Sequence, residues 1–271
     1  MPSDLLARGR VSDIMQPCQV FVSPSDLVTK VRSVMRSSGL RTLPVVKDGK
    51  LTGIVTARQI MRVTSTRSNI PVAGLMISPR VVTTPDENLT KVANDIVQLE
   101  VSIVPVVRSG SDQTIIGVVQ LGDILRYIAK APRSKKLTVG KIMSRDVVGC
   151  NSDDEIPRVW NVMEETEYSG LPVTRYNKQK HALEVIGMVT RSDIIRSGAA
   201  RLGEESDKGH FQHPPRVSNI MRTPPIVTSP STPIAEAVDL MLKHGVGRLP
   251  VVEDGALVGI VARSDIVKAW L

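Results

Sequence analysis

The chain has 271 residues, of which 41% are hydrophobic and 23% charged, a composition typical of a globular protein and not of a disordered chain. No stretch approaches the roughly 18 to 20 apolar residues of a membrane span, and no long apolar segment of a secretory signal opens the chain, so we expect a cytoplasmic protein without membrane contact. Cys18 and Cys150 are the only cysteines and form no C-x-x-C pair, which argues against a disulfide framework or a thiolate metal site.

A fourfold internal repeat runs through the sequence. The methionines of four Ile-Met or Leu-Met pairs each precede a proline by 29 residues, and the pairs are Met15 and Pro44, Met76 and Pro105, Met143 and Pro172, and Met221 and Pro250. From these prolines to the glycine that recurs in each repeat, the distances are 9, 12, 15 and 9 residues, and the glycines are Gly53, Gly117, Gly187 and Gly259. The length variation is thus confined to one segment, which indicates a loop between two strands.

The elements of one repeat can be predicted from its last copy, repeat 4. Thr232 and Pro233 are expected to be the N-cap and the first residue of a helix that follows a strand, and Gly245 to end that helix in a left-handed conformation. A β-hairpin with an Asp254–Gly255 tip should follow, and then a second short helix. Each repeat is therefore predicted as strand, helix, strand, strand, helix. At about 60 residues it buries too little surface alone, so we expect repeats to pair.

The segment Gly187 to Ile194, in repeat 3, is the fullest copy of a strand that runs into a helix start. Thr190 ends the predicted strand, and Asp193 lies beside the unpaired N–H groups of the helix. This arrangement suits a ribose diol on Asp193 and a phosphate near Thr190, and it predicts a nucleotide or another adenosyl ligand. The alternative is that both side chains only cap the helix. The other copies depart from the pattern, with Gln59 in place of the acid and with Gln120 and Ala262 in place of the hydroxyl.

The Met-to-Pro spacing, the Leu-Pro-Val-Val strand and the Gly-to-Asp ending resemble the cystathionine-β-synthase (CBS) domain family over nearly the whole chain. The resemblance implies an α/β fold of α+β repeats, in which four CBS repeats pair into two Bateman modules. Repeats 1 and 2 would form the first module and repeats 3 and 4 the second, with linkers at 131–138 and 199–216. The repeats would cover 11–70, 71–130, 139–198 and 217–271.

The resemblance also implies ligands and site residues. Clefts of this family bind AMP, ADP, ATP or S-adenosyl compounds, and no obligatory cofactor or metal is implied. The ribose acid of the family corresponds to Asp123, Asp193 and Asp265, and its phosphate-side hydroxyl to Thr56 and Thr190. The basic residues that often precede the strand proline correspond to Arg41 and Arg248.

The positive charge is concentrated in the first module. Residues 1–70 hold 11 Lys and Arg against 4 Asp and Glu, which accounts for most of the net charge of +8. This asymmetry predicts a polyanionic partner, with ribosomal RNA as the first hypothesis, and the scarcity of aromatic residues (3%) argues against stacking on single-stranded bases. A solvated basic surface, or attraction to the nucleotide itself, is the alternative. The cations assigned to this contact are Arg32, Arg36, Arg41, Arg58, Arg62, Arg67, Lys135 and Lys136.

No P-loop, G-x-G-x-x-G, H-E-x-x-H or G-x-S-x-G motif and no nucleophile-base pair is found, so we expect no enzymatic activity. The leading hypothesis is a regulatory protein that binds adenosyl ligands and docks on the ribosome, inhibiting translation in dormancy. The alternative is an energy-sensing subunit of a protein complex without RNA binding, as the γ subunit of AMP-activated kinase is. Oligomers are possible in both cases.

Overall fold

The computed structural model describes residues 3–61, 63, 69–131, 137–198 and 214–271. The α-helices are α1 Ser3–Arg8, α2 Val28–Ser38, α3 Ala57–Met61, α4 Leu89–Gln98, α5 Leu121–Ile128, α6 Ile156–Glu165, α7 Arg191–Ser197, α8 Ile234–Lys243 and α9 Arg263–Lys268. The strands are β1 Thr42–Lys47, β2 Lys50–Thr56, β3 Val104–Val107, β4 Ile115–Val119, β5 Gly170–Asn177, β6 Ala182–Thr190, β7 Arg248–Glu253 and β8 Ala256–Ala262.

Each repeat contains one two-stranded antiparallel hairpin, preceded by a long helix and followed by a shorter one. In all four hairpins the register shifts between the first and the second residue after the proline, directly after Val45, Val106, Val173 and Val251. The mixed α/β repeat is therefore confirmed. The predicted Asp254–Gly255 tip is also present, since both residues have positive φ angles, 51° and 80°, as a two-residue hairpin turn requires.

The predicted first strand of each repeat is wrong as a regular element. A 3-10 helix opens the repeat, at Val11–Asp13, Val72–Gly74, Val139–Lys141 or Val217–Asn219, and a single parallel bridge follows. In repeat 1 the N–H of Val22 donates to the carbonyl of Pro44, and Val46 donates back to Val22. The next bonds of a parallel ladder would need N–H groups from Pro44 and Pro24, which have none, so the ladder stops after one residue.

The helix ends follow the prediction at one terminus and differ at the other. Gly245 follows α8 with a φ of 64°, and Gly39 ends α2 with a φ of 70°, both left-handed as expected. Pro233, however, is the N-cap of α8 and not its first residue. Thr232 does not cap the helix but accepts a bond from the N–H of Ser229 at 3.2 Å, which closes the preceding turn.

Neighbouring repeats are joined by the residue that follows the repeat methionine. Gln16 bridges to β4, Ile77 to β2, Ser144 to β8 and Arg222 to β6, so repeat 1 is tied to repeat 2 and repeat 3 to repeat 4. We call these four stretches, from the methionine to the residue after it, the crossing segments.

The two modules also share apolar packing. Repeats 1 and 3 contribute to one core, and Leu125 of repeat 2 lies in the core of repeat 4. Buried side chains of the core shared by repeats 1 and 3 include Val31, Met35, Leu43, Ile156, Trp160 and Ile194. The centre of the molecule is therefore formed by elements of both modules, and the helix starts that follow β2, β4, β6 and β8 lie near it.

Candidate ligand-binding clefts

The junction of β6 and α7 forms a reciprocal cap. The N–H of Thr190 donates to Oδ2 of Asp193 at 3.0 Å, and its hydroxyl donates to the same oxygen at 2.5 Å. The N–H of Asp193 in turn lies 3.2 Å from the Thr190 hydroxyl. Asp193 is only 7% exposed. Both residues therefore cap the helix, and their contact with a ligand stays a prediction.

Arg222 completes the surroundings of Asp193, and sequence reasoning missed it. Its Nε lies 3.0 Å from Oδ1 of Asp193, and its side chain is 49% exposed. Arg222 belongs to the crossing segment of repeat 4, whereas Asp193 belongs to repeat 3. The available signal was a cation directly after Met221, at a position where the other repeats have Gln16, Ile77 and Ser144.

The other two predicted acids lie in different environments. Asp123 is 3% exposed, accepts a bond from the N–H of Gln120 at 2.8 Å and forms an ion pair with Arg126. Asp265 accepts a bond from the N–H of Ala262 at 2.8 Å, and burial raises the pKa of its carboxyl despite the opposing effect of Arg248. Asp123 is therefore occupied by contacts within its own helix.

In repeat 1 an amide replaces the acid and makes the same cap. Oε1 of Gln59 accepts bonds from the N–H and the hydroxyl of Thr56 at 2.7 and 2.5 Å. The Thr56 hydroxyl is therefore engaged by a neutral side chain. A glutamine can make the cap but cannot offer a ribose the charged acceptor that Asp193 offers.

Three arginines from three repeats lie within electrostatic range of one another, and we call Arg41, Arg191 and Arg248 the arginine cluster. Burial lowers the pKa of Arg41 and of Arg248 to about 10. Repulsion between cluster members adds to this effect, although Asp265 opposes it at Arg248. The pKa of Arg191 is lowered by burial too, although Glu164, at 3.3 Å, opposes the shift. Loss of hydration and mutual repulsion both disfavour the charged forms.

The cluster adjoins the Thr190 junction. Nη1 of Arg248 donates to the hydroxyl of Ser169. A Cβ on Gly170, the next residue, would lie 3.1 Å from Cγ2 of Thr190 and 3.4 Å from Nη1 of Arg248. The structure therefore brings Thr190 and Arg248 together around Gly170, with Arg41 and Arg191 within electrostatic range.

The cations assigned to RNA binding have contacts within the fold wherever they are described. Arg32 donates to the carbonyls of Ile60 and Val63 at the end of α3. Arg36 lies against Gly198, Arg41 belongs to the arginine cluster, and Arg58 pairs with Glu164 at 2.7 Å. The remaining four, Arg62, Arg67, Lys135 and Lys136, lie outside the described residues.

Within the described ranges no group of three or more His, Cys, Asp or Glu side chains could hold a metal ion. In the same part of the chain, none of the helices combines the length and the apolar character that crossing a bilayer requires.

Two proteins of known sequence resemble the chain over most of its length. An uncharacterised protein of Methanocaldococcus jannaschii is 28% identical over 273 residues, which cover 97% of this chain and 62% of that protein. The chain therefore spans less than two thirds of this relative. A 33.4 kDa protein of Thermofilum pendens, described by its place in a ribosomal RNA operon, is 26% identical over 93% of this chain and 87% of its own length.

Solved structures and a family model agree with the fold. A second M. jannaschii protein, described as a proposed archaeal homologue of γ-AMPK, superposes with a TM-score of 0.81 at 20% identity and covers 97% of this chain and 100% of its own. A protein of Pyrococcus horikoshii gives 0.65 at 23% identity, with the same shares covered. The CBS domain model matches residues 11–65, 72–130, 139–200 and 217–271. Because these four segments make up most of its length, the chain belongs to the CBS domain family.

Proposed function

We propose that this protein is a non-enzymatic regulatory protein that binds a phosphorylated adenosyl ligand, an adenine nucleotide, at its centre. The observation that carries the proposal is the arginine cluster beside the Thr190 junction. Ribose would bind at Asp193, and phosphate would bind near Thr190 and the arginines. Both modules would then contact one ligand, since Arg41 comes from repeat 1 and Arg248 from repeat 4.

The electrostatics favour a phosphate over an S-adenosyl sulfonium. Burial and repulsion lower the pKa of Arg41 and Arg248, so these guanidinium groups are held in an environment that disfavours charge. A phosphate group would relieve both effects through charge-assisted hydrogen bonds, whereas a sulfonium cation would add a fourth positive charge. Each additional phosphate should therefore strengthen binding.

Among the four clefts, the one in repeat 3 has the fullest set of ligand groups. It keeps both Thr190 and Asp193, and the other junctions lack the acid or the hydroxyl. The repeat 4 cleft has Asp265 with Arg248 nearby, and it is the second candidate. The repeat 2 junction has Asp123 but holds Gln120 in place of the hydroxyl, so it lacks the group expected on the phosphate side.

The test is calorimetry of the whole protein with AMP, ATP and S-adenosylmethionine. We expect AMP and ATP to bind more tightly than S-adenosylmethionine. Arg248→Gln should weaken AMP binding by roughly tenfold or more, because a hydrogen bond to a charged group contributes about 1.5 to 3 kcal/mol. Arg175→Gln is the matched control, since Arg175 is 69% exposed on the hairpin and pairs with Glu184.

Two results would contradict the proposal. One is stronger binding of S-adenosylmethionine than of either nucleotide to the parent protein. The other is an Arg248→Gln variant that binds AMP as well as the Arg175→Gln control does.

For the macromolecular partner we infer a protein complex in preference to the ribosome. The M. jannaschii structure described as a proposed γ-AMPK homologue supports this role by its similar fold. The engagement of Arg32, Arg36, Arg41 and Arg58 within the fold also favours it, because these side chains are not all available to a phosphate backbone. Docking on ribosomal RNA stays a prediction.

A further inference from the structure

The backbone of Arg222 is fixed beside the Thr190 junction by its bonds to β6. Its N–H donates to the carbonyl of Met188 at 2.8 Å, and Met188 donates back at 3.0 Å. The hydroxyl of Thr223 adds a bond to the carbonyl of Ile186 at 3.0 Å. A Cβ on Gly187 would lie 3.0 Å from the carbonyl oxygen of Arg222, so only glycine admits this close approach without displacement.

This cation is particular to one cleft. The same position of the other crossing segments holds Gln16, Ile77 and Ser144, none of which carries a charge. The pairing with Asp193 therefore does not follow from the architecture of the repeat. It depends on the residue that repeat 4 has at this position.

The acceptor capacity of Asp193 is nearly filled in the protein without ligand. A carboxylate offers about four acceptor positions. Oδ2 of Asp193 accepts the N–H and the hydroxyl of Thr190, and Oδ1 accepts Nε of Arg222. Roughly one position remains, whereas a ribose diol donates two hydroxyl groups. The N–H of Thr190 is fixed by the helix cap, and its hydroxyl oxygen is held beside Asp193 because it accepts the N–H of Asp193 at 3.2 Å. The half-exposed guanidinium of Arg222 is therefore the donor that can leave without breaking the cap.

The geometry points to Arg222 as a specificity-determining residue of the repeat 3 cleft. A ribose diol can bind Asp193 only by displacing the guanidinium of Arg222, and the ligand must then supply an anion to that guanidinium. This inference rests on the proposed function and narrows it. The backbone of Arg222 stays bonded to β6 while its side chain moves, so the guanidinium remains at the cleft. A phosphate compensates for its lost partner, and an uncharged nucleoside does not. The cleft thereby distinguishes AMP from adenosine.

The experiment compares AMP and adenosine by calorimetry on the whole protein and on its Arg222→Gln variant. For the parent we expect AMP to bind at least roughly tenfold more tightly than adenosine, as a charge-assisted contact implies. In the variant, AMP binding should weaken by a similar factor, and adenosine binding should improve by about threefold or more because no counter-ion has to be displaced. The ratio of the two affinities should therefore collapse.

Arg216→Gln is the control, because Arg216 precedes the same crossing segment, is exposed and pairs with Asp153 at 3.6 Å. This control should leave the ratio of the AMP and adenosine affinities unchanged. Thermal melts that match the parent would show that both variants fold. If the parent binds AMP but the Arg222→Gln variant keeps the parental ratio, the inference is overturned and the proposed function stands. If the parent binds neither compound, both are overturned.

Discussion

At the residue scale, a helix cap and a ribose contact require the same side chains. Asp193 caps α7 through Thr190, as any acid at this position of a helix would. A cap alone does not account for an acid that is 7% exposed and also paired with a cation from another repeat. The two roles can be separated by substitutions that keep one and remove the other.

We expect Asp193→Asn to weaken AMP binding by roughly tenfold, because it removes the charge that strengthens a bond to a ribose hydroxyl. The amide oxygen can still accept from the N–H of Thr190, so the cap should largely survive. Asp193→Ala should lose both the ribose contact and the helix cap, and loss of the cap alone should lower the free energy of unfolding by about 1 kcal/mol. Urea unfolding and calorimetry measure the two effects. The control is Asp153→Asn, whose side chain is 79% exposed. AMP binding by the Asn variant at parental affinity would show that Asp193 is only a cap.

The sequence was sufficient to place Thr190 and Asp193 together at the start of one helix, because both lie within one local pattern. Their contact with a ligand stays a prediction. The sequence was insufficient for Arg222, which approaches Asp193 from a different repeat and is recognisable only once the crossing segment is placed against β6. The arginine cluster was not predicted, although two of its members were singled out separately by the family resemblance. Arg41 and Arg248 precede strand prolines, whereas Arg191 begins a helix. Arg41 approaches the other two only through the contact of the two modules.

At the element scale, the glycine that follows each hairpin loop is explained by the crossing segments. A Cβ on Gly53, Gly117, Gly187 or Gly259 would lie 2.9 to 3.0 Å from a carbonyl oxygen of the segment that crosses it. The hairpins and helices could be predicted because their signals are local. The single-residue bridges could not, because in repeat 1 the ladder is stopped jointly by Pro24 and Pro44, which lie in two separate segments.

Gly187→Ala should destabilise the protein by about 1 to 3 kcal/mol, the usual cost of forcing an extra methyl into a closely packed site. Its Cβ would also lie 3.1 Å from Sδ of Met221, so neither the backbone nor the side chain of the segment leaves room. Gly110→Ala is the control, since no atom lies within 4 Å of the added Cβ and its φ is not positive. Denaturant unfolding of both variants measures the difference. Equal stabilities would mean that the crossing segment can shift at no cost.

At the scale of the whole molecule, the two modules meet through a reciprocal contact between α2 and α7. Arg196, in the last turn of α7, lies against Gly39, which ends α2, and Arg36, in the last turn of α2, lies against Gly198, which ends α7. A cation beside the carbonyl end of a helix is favourable, so each arginine stabilises the terminus of the other helix. Several cations that make the first module basic are therefore directed at the second module.

Because these cations contact the second module, we expect Arg58→Ala to lower the stability of the protein without changing its association with ribosomes. Arg58 pairs with Glu164 at 2.7 Å and lies 3.9 Å from Glu167, so it joins repeat 1 to repeat 3. Its removal should cost ~1 kcal/mol or less, as partly exposed ion pairs do. Arg108→Ala is the control, since Arg108 pairs within its own loop with Asp112.

The measurement is a sucrose gradient of native extract, followed by filter binding to purified ribosomal subunits over a range of salt. We expect the protein to run apart from ribosomal particles, in a complex with other proteins, and both variants to run with the parent. A docking surface of about six phosphate contacts would instead give a slope of log affinity against log salt near −5. That slope, flattened by Arg58→Ala but not by Arg108→Ala, would establish ribosomal RNA as the partner and displace the protein-complex proposal.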